Sequence, residues 1–517
     1  MDNLRVETDA APRGALYISM QGAVNYLTYF LSYVFLARIV TPIEIGKLPL
    51  LNAALAVYNT VTMLALQNAT VRFVSEYAGK GRLDKAAGAG WVSIRLVAAV
   101  SIPVFILLAF LSPQVSGLIY GSGADTGLVV FMLLAGLISN FTVLLASVLW
   151  GLRLFRKMVT CNVTSVVAGR AIGLLFAFVG LGLPGFVAGW SVGYALVLAL
   201  SIVYVRPYVQ NRLEAVPPKQ MLAYSYPILF TALTALVLNW ADVTVLYALT
   251  GSLVSTGVYY LGLAGAQVIS IITTALASAV FPTLSALYGR GQTESFREVL
   301  GACQRVLNVA VMPAGFALAA IASTAVTVAY GKTYLAATVP FAILTVSAVL
   351  PAYLTLMAIT LQAIGRTQPL IKIWGAAALT EVGVTAALVA SMNVVGSALG
   401  RVSMSVVAVL VAYFCVKGTW WPGTDRTSLA KGIALSVLVA IVLFVFDSLA
   451  ANAFRVTPLA RILLDGGVLL LVYAGGVITL KPLIPRDIEI LMVALPSSLH
   501  GLLRLIRDWA VAPANAG

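Results

Sequence analysis

Charged residues are rare inside the long apolar stretches of this 517-residue chain, and those that occur there are the groups best placed to do chemistry. Arg170 stands near the middle of one stretch and Arg95 nine residues into another, and no stretch interior before residue 206 carries a carboxylate. An arginine at a helix centre costs about 2.5–3.5 kcal/mol on insertion scales, so it should face a wet cavity, a partner or a ligand. Guanidinium stays charged, and its planar fork donates two parallel bonds to phosphate oxygens, so Arg170 is a candidate phosphate group. The alternative is a packing arginine bonded to backbone carbonyls or to Asp242. Arg95 can snorkel toward the nearer face, and Arg38 and Arg72, at stretch ends, can contact phosphate or anchor at headgroup level. In the second half, Asp242 has Asn239 three residues earlier, on the same face of a helix, with Pro227 marking a kink. Asp242, Asn239 and Glu381 are candidates for a coupling-ion site or a buried polar network. Asn25, Gln67, Asn68 and Gln267, with Asn140 and Asn162, either line a polar path or hold helices together. Asp447 and Asp465 are expected at the membrane interface, and Gly46, Gly121, Gly257 and Gly331 in loop turns.

Other chemistries lack their parts. The one histidine, His500, lies in the tail, and Cys161, Cys303 and Cys415 sit in apolar runs, which leaves no zinc site, disulfide framework or histidine base. No catalytic residue, metal or cofactor is expected.

The elements that must carry these groups follow from composition. With 61% hydrophobic and only 10% charged residues, there is too little polar material for the surfaces of soluble domains. The apolar runs approach the roughly 20 residues needed to span the bilayer. They fall near 15–39, 48–70, 87–111, 127–150, 158–180, 184–205, 221–249, 257–285, 302–328, 336–361, 371–391, 396–416, 431–451 and 459–480. The expected fold is therefore all-α and integral to the membrane, with about 14 transmembrane helices. The segment from Leu499 to Trp509 has apolar residues at helical spacing and reads as an interfacial helix.

Of the 32 Lys and Arg, 24 sort to one set of breaks and 6 to the other, with Arg95 and Arg170 inside spans. This asymmetry puts both termini in the cytoplasm. It also accounts for the formal charge of +14 through topology and contact with anionic headgroups, and no nucleic-acid partner is implied.

The chain resembles itself at an offset near 210. Pro103 recurs as Pro313, Tyr120-Gly121 as Tyr330-Gly331, the Gly185-x-x-x-Gly189 motif as Gly396-x-x-x-Gly400, and Gly46 as Gly257. The expected division is a cytoplasmic N-terminus (1–14), an N-lobe of spans 1–6 (15–205) and a linker (206–220). A C-lobe of spans 7–12 (221–416), appended spans 13–14 (417–482) and a cytoplasmic tail (483–517) follow. Two six-helix halves starting on the same side make a parallel repeat, related by an axis along the membrane normal, which suits alternating access.

The segment Leu36-Ala37-Arg38-Ile39-Val40-Thr41-Pro42-Ile43-Glu44-Ile45-Gly46 resembles the first-loop signature of oligosaccharide (polysaccharide) flippases of the multidrug/oligosaccharidyl-lipid/polysaccharide (MOP) superfamily. Gln67-Asn68-Ala69-Thr70-Val71-Arg72-Phe73, Tyr226-Pro227 with Asn239-Trp240-Ala241-Asp242, Gly257-Val258-Tyr259-Tyr260 and Phe281-Pro282-Thr283-Leu284-Ser285 resemble its later spans. The resemblance covers spans 1–12. It implies a monomeric transporter of the cytoplasmic membrane that flips polyprenol-(pyro)phosphate-linked oligosaccharide between two lobes, with membrane lipids and glycan-assembly enzymes as partners. A cation-coupled drug antiporter of the same superfamily is the near rival, but such pumps usually carry an acidic residue in the first lobe. A membrane glycosyltransferase or polymer ligase needs a base or metal-binding carboxylates, and the outside breaks offer only Glu44 and Asp125.

Overall fold

A computed structural model describes the backbone of residues 2–209, 214, 216–423, 425–452, 456–485, 487–488 and 501. The interfacial helix expected at Leu499–Trp509, with His500, lies outside the described residues apart from Gly501. The described elements are helices: α1 (Asp2–Leu36), α2 (Pro42–Met63), α3 (Leu66–Gly79), α4 (Leu83–Phe110), α5 (Ser112–Tyr120), α6 (Thr126–Gly151), α7 (Phe155–Phe176), α8 (Gly182–Val209), α9 (Pro218–Thr250) and α10 (Leu253–Ala266). They continue as α11 (Ser270–Gly289), α12 (Thr293–Val306), α13 (Met312–Ala320), α14 (Ala322–Tyr330), α15 (Thr338–Val346), α16 (Val349–Ala363), α17 (Gln368–Met392), α18 (Val394–Val416), α19 (Arg426–Asn452) and α20 (Pro458–Leu480).

Local chemistry sets many boundaries. Thr41 caps α2 in a reciprocal box with Glu44, its backbone N–H donating to Glu44 Oε2 at 2.9 Å, and Pro42 opens the helix. Leu64 and Ala65 both take left-handed conformations, so α2 and α3 meet at a 46° bend. Proline also stands at the N1 or N2 position of α9, α17 and α20, where its missing N–H costs nothing.

Eleven helical segments among the described residues are long and apolar enough to cross a membrane, or twelve if the bent α2–α3 pair is one span. One of them, Phe155–Tyr208, runs 54 residues and includes Gly180 at φ 98°, where the chain turns back. Its arms, α7 and α8, pack antiparallel: a Cβ on Gly189 would strike the Gly173 backbone, and one on Gly193 the Gly169 backbone. The expectation of about fourteen spans counts these arms separately and includes α1.

The chain divides into two compact units, Met1–Gly257 and Val258–Gly517. In the first, a core of Leu66, Phe73, Val74, Leu144, Leu149 and Met158 joins α3, α6 and α7. Some polar groups inside it bond one another, which limits the cost of burying them. Thr70 donates to Ser93 at 2.7 Å, and Asn140 Nδ2 to Thr62 at 2.8 Å. Helix α9 falls in this unit, where Tyr224 packs edge-on against Phe73 of α3.

In the second unit, α18 lies close along α17: Gly396 abuts the Leu388 backbone and Gly400 abuts Thr385. The glycines of the two x-x-x motifs thus do similar work, letting backbones approach. Helices α12 and α13 join through a π turn at Leu307–Val311, just before Pro313. Pro313 has no N–H for the carbonyl of Val309, and Tyr473 of α20 donates its hydroxyl to that carbonyl at 3.0 Å. Arg305 forks onto Asp487, Nε to Oδ2 at 2.8 Å and a second nitrogen to Oδ1 at 2.5 Å, and also reaches Asp425 at 3.2 Å. Burial alone would raise the Asp425 carboxyl, but the Ser428 N–H and Arg305 outweigh it and hold it below its usual range.

Gly121 and Gly331 occupy turns with positive φ, as expected. Gly46 and Gly257 do not. Both lie inside helices, α2 and α10, and a Cβ on Gly46 would collide with the Leu253 backbone. Their small size serves close approach, not turning.

Candidate functional site

Arg170 projects from α7 and is only 8% exposed. Its guanidinium lies over four aromatic rings: Trp190 at 4.2 Å, Tyr29 at 4.7 Å, Phe186 at 5.3 Å and Tyr33 at 5.7 Å. Tyr29 and Tyr33 sit one turn apart on α1, and Phe186 and Trp190 one turn apart on α8, so three helices build an aromatic box around one cation. The rings' negative faces stabilise the charge where water is scarce. Gly169 and Gly173 flank Arg170 and bring α8 close enough to deliver its two rings. The sequence reading of this region missed the box, although two aromatic pairs at i, i+4 spacing in apolar spans were a visible signal.

The other arginines are more open. Arg72 is exposed and stacks on Tyr224 of α9 at 4.2 Å and near Phe73 at 5.4 Å. Arg95 is exposed, over Trp91 at 5.2 Å. Arg38 is exposed in the turn after α1.

Asp242 is fully buried in α9, while Asn239, one turn earlier, is exposed with its amide donating to the Ala235 carbonyl at 2.7 Å. The shared face expected from their spacing therefore divides between interior and surface. Glu381 is fully buried in α17 and pairs with Arg401 of α18 at 3.5 Å. Arg401 lies on α18 next to Gly400, which packs directly against Thr385 of α17.

Among the amide candidates, Asn25 and Gln67 are half-buried, each with a buried carbonyl oxygen that meets no donor among the described residues. Asn68 and Gln267 are exposed. A groove of about 520 Å³ on the first unit is lined by Trp91, Ile94, Phe141, Leu198, Ile202 and Arg206 among others, and Arg170 is not part of its wall.

Asp447 and Asp465, expected at the membrane interface, are enclosed by protein. Asp465 is 1% exposed and Asp447 9%, held between α14, α19 and α20 by Thr324 and Arg461. Packing of the two appended helices against α14 encloses them.

A sequence profile of polysaccharide biosynthesis proteins matches residues 35–339, more than half of the chain. The chain belongs to the polysaccharide biosynthesis protein family. No curated protein sequence matches it. This family member is similar in fold to a solved structure of the lipid II flippase MurJ in an inward closed conformation, with TM-score 0.66, 14% identity, and 89% of this chain and 97% of that chain covered. It is similar to an inward-facing multidrug resistance MATE transporter of the MOP superfamily, with TM-score 0.62, 13% identity, and 78% and 97% covered. A third similar structure is a MOP superfamily transporter from Pyrococcus furiosus, described as having a binding pocket of reversed polarity, with TM-score 0.56, 13% identity, and 78% and 95% covered. The family member is a multi-pass membrane protein with the fold of MOP transporters and flippases.

Proposed function

We propose that this protein flips a polyprenol-(pyro)phosphate-linked oligosaccharide across the cytoplasmic membrane by alternating access, with both termini in the cytoplasm. The observation that carries the reading is the buried guanidinium of Arg170, in a run of six spans whose interiors hold no carboxylate. A buried cation lowers the cost of bringing a phosphate head out of water, whereas it repels a cationic drug. Membership of a polysaccharide biosynthesis family supports a glycan as the cargo. Arg95, Arg38 and Arg72, all exposed, are the further phosphate candidates along the route. Asp242 is the coupling-ion candidate, and Glu381, paired with Arg401, serves the polar network of α17 and α18.

At 8% exposure Arg170 is not open to a phosphate while the box is closed. The head group reaches it when Tyr29 and Tyr33 withdraw with α1, and release follows when the rings return and replace the phosphate. Such exchange avoids binding too tight for transport.

The test is reconstitution into proteoliposomes carrying a fluorescent polyprenol-pyrophosphate oligosaccharide in both leaflets, with an impermeant reductant added outside. Flipping makes the inner-leaflet label accessible. Arg170→Lys should retain part of the rate through charge alone, and Arg170→Met should lose it while remaining monodisperse in detergent. Inner-leaflet label that stays protected with the parent protein refutes the reading. Gradient-driven efflux of a cationic dye in the same vesicles would favour the antiporter instead.

A further inference from the structure

The appended helices α19 and α20 hold a carboxyl pair that the transport reading does not use. Asp447 of α19 is fully supplied with donors. Thr324 of α14 donates its hydroxyl to both carboxylate oxygens, at 2.7 and 2.9 Å, and Arg461 of α20 approaches Oδ1 at 3.2 Å. Asp465, one turn beyond Arg461 on α20, is 1% exposed, and neither of its oxygens meets a donor among the described residues. Arg461 and Asp465 share one face of α20, and the bond from Arg461 brings the Asp447 carboxylate, itself an acceptor, to that face. Arg461 Nε is likewise buried without an acceptor among the described residues.

Two ionised carboxylates facing one guanidinium leave one negative charge in excess. A buried carboxylate with no donor is among the most costly states a side chain can adopt, and two adjacent carboxyls relieve it by sharing one proton. The geometry assigns the roles. Asp447, with three donor contacts, suits the ionised form, and Asp465, with none, suits the neutral form whose O–H donates to Asp447. We propose that Asp447 and Asp465 form a proton-binding site in which one proton bridges the pair, making the cluster with Arg461 neutral.

The other charged groups on the packed elements are remote. Helix α14 carries none, and α19 carries Arg426 and Lys431, the latter sixteen residues or about 24 Å from Asp447 along the helix. Lys431 is engaged at that far end by the Lys481 carbonyl. Arg455, between α19 and α20, lies outside the described residues. A buried ionisable group bonded across three helices, as Asp447 is, is an arrangement through which proton binding alters how those helices pack. The inference goes beyond the flippase reading and holds whichever cargo crosses.

The experiment is infrared difference spectroscopy of the purified full-length protein at neutral pH, without sodium, comparing the parent with Asp465→Asn. The parent should show the carbonyl stretch of a protonated carboxylic acid, moved by deuterium exchange, and Asp465→Asn should lose it. Thr324→Val leaves both carboxyl groups in place and removes a donor to Asp447, so it should keep the band and shift its frequency, and it decides the matter if Asp465→Asn fails to fold. A parent spectrum without the band, or a band unchanged in both variants, overturns the proposal. So does a sodium-dependent rise in melting temperature that Asp465→Asn abolishes while no protonated-acid band is present, because the pair would then hold a sodium ion.

Discussion

Two alanine substitutions at glycine, chemically identical, should move stability in opposite directions. A methyl group on Gly189 would land under 3.0 Å from the Gly173 backbone, whereas one on Gly383 of α17 meets nothing within 4 Å. Overpacking of a well-packed contact costs about 1–3 kcal/mol. Pushing α8 off α7 also lifts Trp190 and Phe186 away from Arg170, and each buried cation–π contact is worth about 1–2 kcal/mol. Against these stands a gain of up to about 1 kcal/mol from replacing glycine inside a helix, which applies at both sites. Gly189→Ala should therefore lose roughly 2–6 kcal/mol, and Gly383→Ala should gain roughly 0.5–1 kcal/mol. The assay is thermal unfolding of both variants in one detergent, followed by intrinsic tryptophan fluorescence. Flipping by Gly189→Ala should fall as well, because the box that presents Arg170 is widened. If Gly189→Ala melts at or above the parent temperature, α7 and α8 are not in backbone contact and the packing argument fails.

Asp487→Ala should lower the melting temperature, by a loss of about 2–4 kcal/mol, because it strands a largely buried Arg305 with only Asp425; a change within error of the parent refutes the anchoring role. The Glu214 carboxyl is held down to about 2 by Lys85 and Arg82. Its contribution is present above the unfolded carboxylate pKa of about 4.3 and is lost as pH falls through the folded value. Exchange of the Glu214 amide, which donates to the Asp84 carbonyl, corrected for intrinsic rates, should therefore stay slow at pH 5 and speed up toward pH 2, and Glu214→Gln should remove that dependence. Cysteines introduced at Ser122 and Ser252, in a background with Cys161, Cys303 and Cys415 replaced, should label from outside with an impermeant reagent and one at Gln292 should not. The reverse pattern would invert the topology.

The apolar runs made the helices legible because bilayer thickness sets their length, and Thr41-Pro42-Ile43-Glu44 announced a helix start through its capping chemistry. The repeated glycines were also visible, but their role was not. Gly46 and Gly257 read as turn residues because glycine's conformational freedom is a local property, while its smallness matters only against a neighbour that the sequence does not name. The same limit hid the charge partners. Glu381 and Arg401 stand twenty residues apart on two helices, and Asp447 and Asp465 eighteen, so each pairing depends on packing register and not on periodicity. Arg170 was legible as an anomaly of charge in an apolar run, and its setting was half-written in the spacing of Tyr29 with Tyr33 and Phe186 with Trp190.

The π turn before Pro313 carries one residue more per turn than an α-helix, so everything C-terminal to it is rotated by about 100° relative to an uninterrupted helix. The phase shift means that α12 and α13 obey two different addressing schemes. Arg305 is aimed in one frame at Asp425 and Asp487, while Asn308, within the turn itself, receives Tyr353 at 2.8 Å and donates to Ser428 at 3.2 Å. Deleting one residue between 307 and 311 would restore a regular helix and keep the side chains from Met312 onward in their present phase, at the cost of the bonds that Asn308 makes from within the turn. The turn therefore takes up one residue within the helix, and Tyr473 closes the Val309 carbonyl that Pro313 cannot bond.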